Sequence, residues 1–499
     1  MKFKAFLIDV ILIFSSFLSF AQFKISGSVI GDKEVNLKLD VPVIYDLDPL
    51  NAKEIAVESN GNFSVNIPLT DRRFIALHLD NDQILLFVQP HEDLFLVINS
   101  NNRTIVDFKG SLADENYLLQ AIGFNKTPFF MEQQGGKYNY ASTTAEEIQS
   151  MVVKPWFKER EEKLLRITQS SISQANKELF KNEVRFHALA SLTDFTRSIV
   201  RWRKSEWRNF QLALYDTVSP NLEEKYHGLQ YYKFIDRYIG YMQSKALDQY
   251  LKDTTISRLL FFNLSLDSIM RLAKVNGENY VAWLSVKQNV SRATAESYLA
   301  QQILNSYRYK DLKSMKILMV DFEAYFSDSR YLPHLRTCIA KLDEKLMANK
   351  RNASIKFFNE GNHIKSIYEI IKRYRGKVVY LGIWGTWCGP CKVELSYTSQ
   401  LKDKFNNKDI VFIYLDMDDD DKEDEWRNFV WISNLQGLHI RMNNEHIQRI
   451  WAELLPTEDG LRGLYPSYFI FDKNGILIKE KAKRPSDQQL LYTQLEKHL

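Results

Sequence analysis

Along the first hundred residues, apolar and polar positions alternate in short runs, the period of strands with one buried face. Phe23–Val29 reads F-K-I-S-G-S-V and Val35–Leu39 reads V-N-L-K-L. Runs of the same kind occur at Ile55–Val57, Phe63–Ile67, Phe74–Leu79, Ile84–Val88, Leu94–Ile98 and Ile105–Phe108. Between them stand Asn60-Gly61, Asp80-Asn81-Asp82 and Asn99–Asn102, residues that supply the left-handed or side-chain-bonded backbone of tight turns. Short strands at this spacing predict a β-sandwich-like N-terminal domain over residues 22–112.

From 113 to 354 the apolar period changes to three and four residues, which predicts an all-α middle region. Thr144-Ala145-Glu146-Glu147 reads as a capping box and Ser219-Pro220 as a helix start. Ser291–Tyr307 and Ser314–Phe326 carry apolar residues at helical spacing. The basic run Arg201–Arg208, with Trp202 and Trp207, is expected to be a helix with buried tryptophans and a solvated charged face. Cys338, beside Ile339 and Leu342, is expected to be a buried small hydrophobe.

A third pattern follows. Val378–Trp384 is a nearly unbroken apolar run, as in a strand buried on both faces, while Val393, Leu395 and Leu401 recur at helical spacing. Between them lies Trp387-Cys388-Gly389-Pro390-Cys391-Lys392, placing two cysteines where a helix begins. Free N–H groups and the helix dipole there favour an anion. A thiolate is such an anion, so the Cys388 pKa is expected to fall from about 8.5 toward 7 or below. A separation of three residues puts both sulfurs on one helical face, able to close a small disulfide ring. A CxxC pair is also half a zinc site or a static disulfide, but the remaining cysteine, Cys338, is isolated and no second CxxC or HxxxH occurs. Asp416, Asp418 and Asp420 match the first positions of a calcium loop. Asp421 stands where that loop needs glycine and Arg427 where it needs glutamate, so Asp416–Asp424 is read as a solvated loop. No metal is expected.

Composition narrows the class. Lys+Arg number 66 against 62 Asp+Glu, a formal charge of +4, too balanced for a nucleic-acid partner. With 45% hydrophobic residues the chain can bury substantial cores. Met1-Lys2-Phe3-Lys4 followed by an apolar Ala5–Phe20 and the small-x-small Ser19-Phe20-Ala21 predicts a signal peptide over 1–21. Asp9 argues against a retained span. The mature chain is therefore expected in the periplasm, where disulfides form and need managing.

Further residues carry a family resemblance. Gly376–Leu381 leads into Trp384-Gly385-Thr386-Trp387-Cys388, and Glu394 falls three residues after the second cysteine. Leu415-Asp416 ends a second apolar strand, Trp426 opens a helix, and Tyr465-Pro466-Ser467 precedes Tyr468–Gly475. With Arg484–Asp487, residues 355–499 resemble the TlpA/ResA-like thiol-disulfide oxidoreductases of the thioredoxin superfamily, in a form similar to multidomain members secreted by Bacteroidetes-type bacteria. The resemblance implies an α/β thioredoxin-like fold and disulfide exchange at Cys388 and Cys391. It implies Glu394 as the base for Cys391, reaching the thiol directly or through water, in place of the buried aspartate of thioredoxin, whose position holds Gly382. It implies a cis Pro466, and substrate contacts from Trp387, Gly389, Pro390, Tyr465 and Pro466, with Trp384 and Trp387 shielding the site. Gly389-Pro390 between the cysteines is similar to reducing members. The implied partners are disulfide-bearing secreted proteins or apo-cytochrome c, as in cytochrome c maturation and redox homeostasis, with a DsbD/CcdA-type membrane electron donor. No cofactor beyond the Cys388–Cys391 disulfide is implied. The competing reading is a periplasmic scaffold whose redox domain is accessory.

Overall fold

In a computed structural model, the structure describes residues 22–499 except 33, 81, 135–136, 201, 419, 456–462 and 479–480. The expected signal segment 1–21 lies outside the described residues. Two compact units emerge, one running to Leu266 and including Ser285–Ser297, the other Asp267–Leu284 with Tyr298–Leu499.

The first unit opens with strands β1 (Gln22–Ile30), β2 (Leu37–Asp40), β3 (Lys53–Ile55), β4 (Asn62–Pro68), β5 (Arg73–Leu79), β6 (Asp82–Val88), β7 (Asp93–Asn99) and β8 (Thr104–Lys109). They form two four-stranded sheets, β4-β1-β7-β8 and β3-β2-β5-β6. The alternation does its expected work: Phe23 and Ile25 of β1 and Leu94, Leu96 and Ile98 of β7 are fully buried in one core. β3 ends at Ile55, two residues before the expected end, leaving Val57 exposed.

Helices α1 (Ala113–Ile122), α2 (Ala145–Ile148), α3 (Lys154–Gln169), α4 (Gln174–Ser198), α5 (Lys204–Tyr215) and α6 (Leu229–Lys252) follow, with a two-residue ladder of β9 (Gln133–Gln134) and β10 (Lys137–Tyr138). Leu118 of α1, Ile167 of α3 and Phe180 of α4 belong to the same core as the strands. Buried Asn116 brackets β6, accepting from Phe87 N at 2.8 Å and donating to Phe87 O at 2.9 Å. The capping box at Thr144 is present: its hydroxyl accepts from Glu147 N, and Glu147 accepts from Thr144 N. Two local expectations are corrected. Ser219-Pro220 starts no helix, because α6 begins at Leu229 behind an irregular segment. α5 begins only at Lys204, so Trp202 precedes it, donating to Thr143 O at 2.9 Å, and both tryptophans are half-buried.

Beyond α6 run α7 (Leu266–Asn276), α8 (Glu278–Asn289), α9 (Arg292–Arg308), α10 (Leu312–Tyr325) and α11 (Leu332–Asn349). The two units thus cut across the expected helical region, and residues from Tyr298 onward group with the C-terminal domain. Cys338 of α11 is buried, its Sγ 3.6 Å from His334 Nε2.

That domain comprises β11 (Ile355–Phe358), α12 (Tyr368–Ile371), β12 (Val378–Trp384), α13 (Gly389–Ser396), α14 (Thr398–Lys404), β13 (Ile410–Asp416), α15 (Glu423–Ile432), β14 (Gly437–Arg441), α16 (Asn444–Leu454), β15 (Ser467–Phe471) and α17 (Gln489–Glu496). Its sheet runs β11-β14-β13-β12-β15, parallel except for β15. The apolar run of β12 is explained by helices on both faces. Val379, Leu381 and Ile383 pack toward α16 (Ile447, Trp451), and Val378, Tyr380 and Trp384 toward α13, α14, α15 and α17. The chain is multidomain: strand-rich at its N-terminus, helical in the middle, α/β at its C-terminus. Among the described residues, no helix is long and apolar enough to cross a membrane.

Candidate active site

β12, an interior strand, ends at Trp384, and α13 starts five residues later. Cys388 is the N-cap of α13, and a proline occupies the first turn, where its missing N–H costs nothing. Cys391 N donates to Cys388 Sγ at 3.2 Å, and Cys388 N donates to Gly385 O at 3.0 Å. The two cysteines form a disulfide with Cα atoms 5.2 Å apart. Cys388 is 5% exposed and Cys391 0%, so the forward sulfur is the one a partner can reach. A Cβ added at Gly389 would meet nothing within 4 Å, which leaves open space beside the disulfide.

Trp384 is buried against Phe429, with ring centroids 5.2 Å apart. Trp387 is 61% exposed, which corrects the expectation that it shields the site. It meets Tyr465 edge-on at 5.4 Å. Tyr465 also accepts from Trp451 Nε1 at 3.2 Å and packs on the cluster that holds both cysteines. The Tyr465–Pro466 bond is cis. Trp387, Tyr465 and the open side of Gly389 thus border Cys388 with apolar, partly accessible surface.

Glu394 is buried one turn beyond Cys391, and its carboxylate is engaged elsewhere. Its oxygens accept from Ser486 N at 3.0 Å and Ser486 Oγ at 2.9 Å, and Arg484 lies at 3.9 Å. In the oxidised form Glu394 thus pins the turn before α17 to the redox helix. At Gly382, the position of the thioredoxin aspartate, a Cβ would lie 3.0 Å from the Tyr468 ring, so a side chain there requires that ring to give way.

The run after β13 is a further correction. Asp416 and Asp418 are buried rather than solvated, because the loop before Cys388 folds over them. Both Asp418 oxygens accept from Thr386 N, at 3.0 and 3.1 Å. A Cβ at Gly385 would sit 2.6 Å from Trp387 Nε1 and 3.2 Å from Asp418 Oδ1, so only glycine admits this approach. Burial raises the Asp418 pKa, opposed by the Thr386 bonds. Burial raises that of Asp416 well above the carboxylate range, with the Asp418 charge adding to it. Sequence reading missed this pair. The available signal was their i, i+2 spacing across the end of a strand whose register partner is Trp384.

Lys392, half-buried, lies over the rings of Phe429 at 5.2 Å and Tyr309 at 5.6 Å. A separate polar cavity of about 170 Å³ opens between Asn359–His363 and Glu423, Arg427 and Arg441. Arg427 and Arg441 both pair with Glu423, at 2.7 and 3.3 Å.

The chain matches the Redoxin family over residues 365–495. It is 33% identical over 121 residues to the thiol-disulfide oxidoreductase ResA of Bacillus thuringiensis subsp. konkukian, covering 24% of this chain and 63% of that one. The chain thus spans under two thirds of the length of these relatives. A Bacteroides vulgatus structure assigned provisionally as a thiol-disulfide oxidoreductase is 30% identical, with coverage of 25% and 74% and a TM-score of 0.21. The thioredoxin domain of another thiol-disulfide oxidoreductase from Bacteroides vulgatus is 20% identical, with coverage of 25% and 81% and a TM-score of 0.21. Over residues 365–495 the C-terminal domain matches the Redoxin family and is similar to the TlpA/ResA-like thiol-disulfide oxidoreductases of the thioredoxin superfamily.

Proposed function

We propose that this chain is a periplasmic thiol-disulfide oxidoreductase that reduces disulfides of secreted proteins or apo-cytochrome c, recharged by a membrane electron donor of the DsbD/CcdA type. The observation that carries the reading is the disulfide at the start of α13, with Cys391 N donating to the Cys388 sulfur. In the reduced protein that N–H and the helix terminus stabilise a thiolate at Cys388. The thiolate attacks one sulfur of the partner disulfide, forming a mixed disulfide and releasing the partner's other sulfur as a thiolate that takes up a proton. Cys391, deprotonated, attacks the Cys388 sulfur, closing the internal bridge and releasing the second partner thiol. Two electrons and two protons pass to the partner, and a dithiol donor restores the pair.

Trp387, Gly389, Pro390, Tyr465 and Pro466 are assigned to holding an extended partner segment beside Cys388. Glu394 is assigned to the proton of Cys391, which requires its carboxylate to loosen from Ser486 when the bridge opens. The Gly389-Pro390 pair supports the reducing direction, and the pattern of residues 1–21 supports export.

The test is insulin reduction by the full chain, with the Cys388–Cys391 reduction potential measured in dithiol buffers. Turnover that disappears in C388S, with a potential near or below about −270 mV, is expected. A potential near about −120 mV would make the protein an oxidant. Absent turnover with free thiols verified would leave the scaffold reading in possession.

A further inference from the structure

The turn Tyr309–Asp311, between α9 and α10, lies in the same compact unit as the redox helix. The Lys392 ammonium sits over the Tyr309 ring at 5.6 Å and the Phe429 ring at 5.2 Å, held by two aromatic faces. Lys310 Nζ lies over the same Phe429 ring at 5.6 Å. Phe429 in turn belongs to the apolar cluster of Cys388 and Cys391. Its helix, α15, is tied to α10 by Lys313–Glu425 at 2.9 Å and to α11 by Asn349 Nδ2 donating to Trp431 O at 2.9 Å. The helices before the thioredoxin-like domain therefore reach its redox helix through defined contacts.

Lys392 follows Cys388 by four residues, and its N–H donates to Cys388 O at 3.2 Å. Side chains at this spacing leave one helical face. Other charges around the site oppose one another. From the end of β13, Asp418 places a buried carboxylate beside the loop before Cys388, which disfavours a thiolate, while burial of Asp416 favours its uncharged form. Burial lowers the Lys392 pKa, and Asp311 of the turn, Asp418 and Glu425 of α15 oppose that shift by favouring the charged form. Lys310, whose own pKa burial lowers to about 8, adds a second cation on the same ring. Tyr465 faces the cysteines from before β15, and Glu394 of α13 is turned to Ser486.

We propose that the turn Tyr309–Asp311 is a positioning element of the redox site. It clamps the Lys392 ammonium, one helical turn from Cys388, where a fixed positive charge offsets Asp418 and holds the thiolate. This rests on the oxidoreductase reading and gives part of the helical region a task in it.

The test measures the alkylation rate of Cys388 by iodoacetamide against pH, in the reduced full chain. K392M is expected to raise the midpoint by about one pH unit, which from a midpoint near 7 is a roughly fivefold loss of thiolate at pH 7. K392R is expected to keep the wild-type midpoint. Y309A is expected to move it part of the way, and Y309F to leave it in place. A K392M profile that superimposes on wild type overturns the proposal, as does a K392R shift equal to that of K392M, which would make packing rather than charge responsible. Cycling of the wild-type pair between dithiol and disulfide tests the oxidoreductase reading separately. A pair that cycles with an unmoved K392M midpoint sinks the clamp alone.

Discussion

Glu183 offers a sharp test of how buried charge is carried in the N-terminal unit. Its carboxylate, on α4, is buried and caps α6, accepting from Gln230 N at 2.7 Å and Tyr231 N at 3.0 Å. Burial pushes its pKa from 4.5 to about 7, although the two N–H bonds and Lys233 pull the other way. A carboxyl with a raised folded pKa binds its proton more tightly folded than unfolded. Its stabilising effect is complete below about 4.5 and is lost as pH rises through about 7. At about 1.4 kcal/mol per pH unit, that interval corresponds to about 3 kcal/mol. Glu183→Gln removes the titration while keeping the shape. Near pH 4, where the protonated carboxyl and the amide each present one acceptor and one donor to α6, the two proteins should agree within about 1 kcal/mol. Toward pH 8 the difference should swing in the variant's favour by about 3 kcal/mol. Asp236, whose pKa burial also raises to about 7, and His187, lowered by burial to about 3, titrate in both proteins and cancel in the difference. Urea unfolding of both proteins, followed by circular dichroism from pH 4 to 8, reads the quantity. A difference constant within about 0.5 kcal/mol over that range would falsify the assignment of a raised Glu183 pKa.

Other expectations concern the redox domain. C391S should accumulate a mixed disulfide with a disulfide-bearing peptide, visible by non-reducing mass spectrometry, whereas C388S should not; equal trapping by both would reverse the roles of the sulfurs. Glu394→Gln should slow resolution of that intermediate about tenfold or more. Unchanged kinetics across pH 6–9, or an equal slowing in S486A, would reduce Glu394 to an anchor for the turn at Ser486. Gly382→Asp, which restores the acid of thioredoxin, should lower the unfolding free energy by about 2 kcal/mol or more, because its Cβ meets the Tyr468 ring and its carboxyl is buried. Wild-type thermal stability in that variant would show the ring moving aside freely.

Much of the architecture was legible from local pattern. Alternation in Phe23–Val29 and Leu94–Ile98, the capping box at Thr144, and an apolar run ending in two cysteines each depend on neighbours a few positions away. Periodicity of that kind reports which face of an element is buried, and a helix start reports where unpaired N–H groups wait for an anion. It does not report what covers the face. The parallel pairing of β1 with β7, the division of the helices between two units, and the capture of Glu394 by a serine 92 positions away arise from long-range packing. So do the burial of Asp416 and Asp418 and the seating of Lys392 between Tyr309 and Phe429. A run of aspartates reads as solvated because charge prefers water. Only when the loop before Cys388 folds over the end of β13, offering the Thr386 N–H in place of water, does that preference yield.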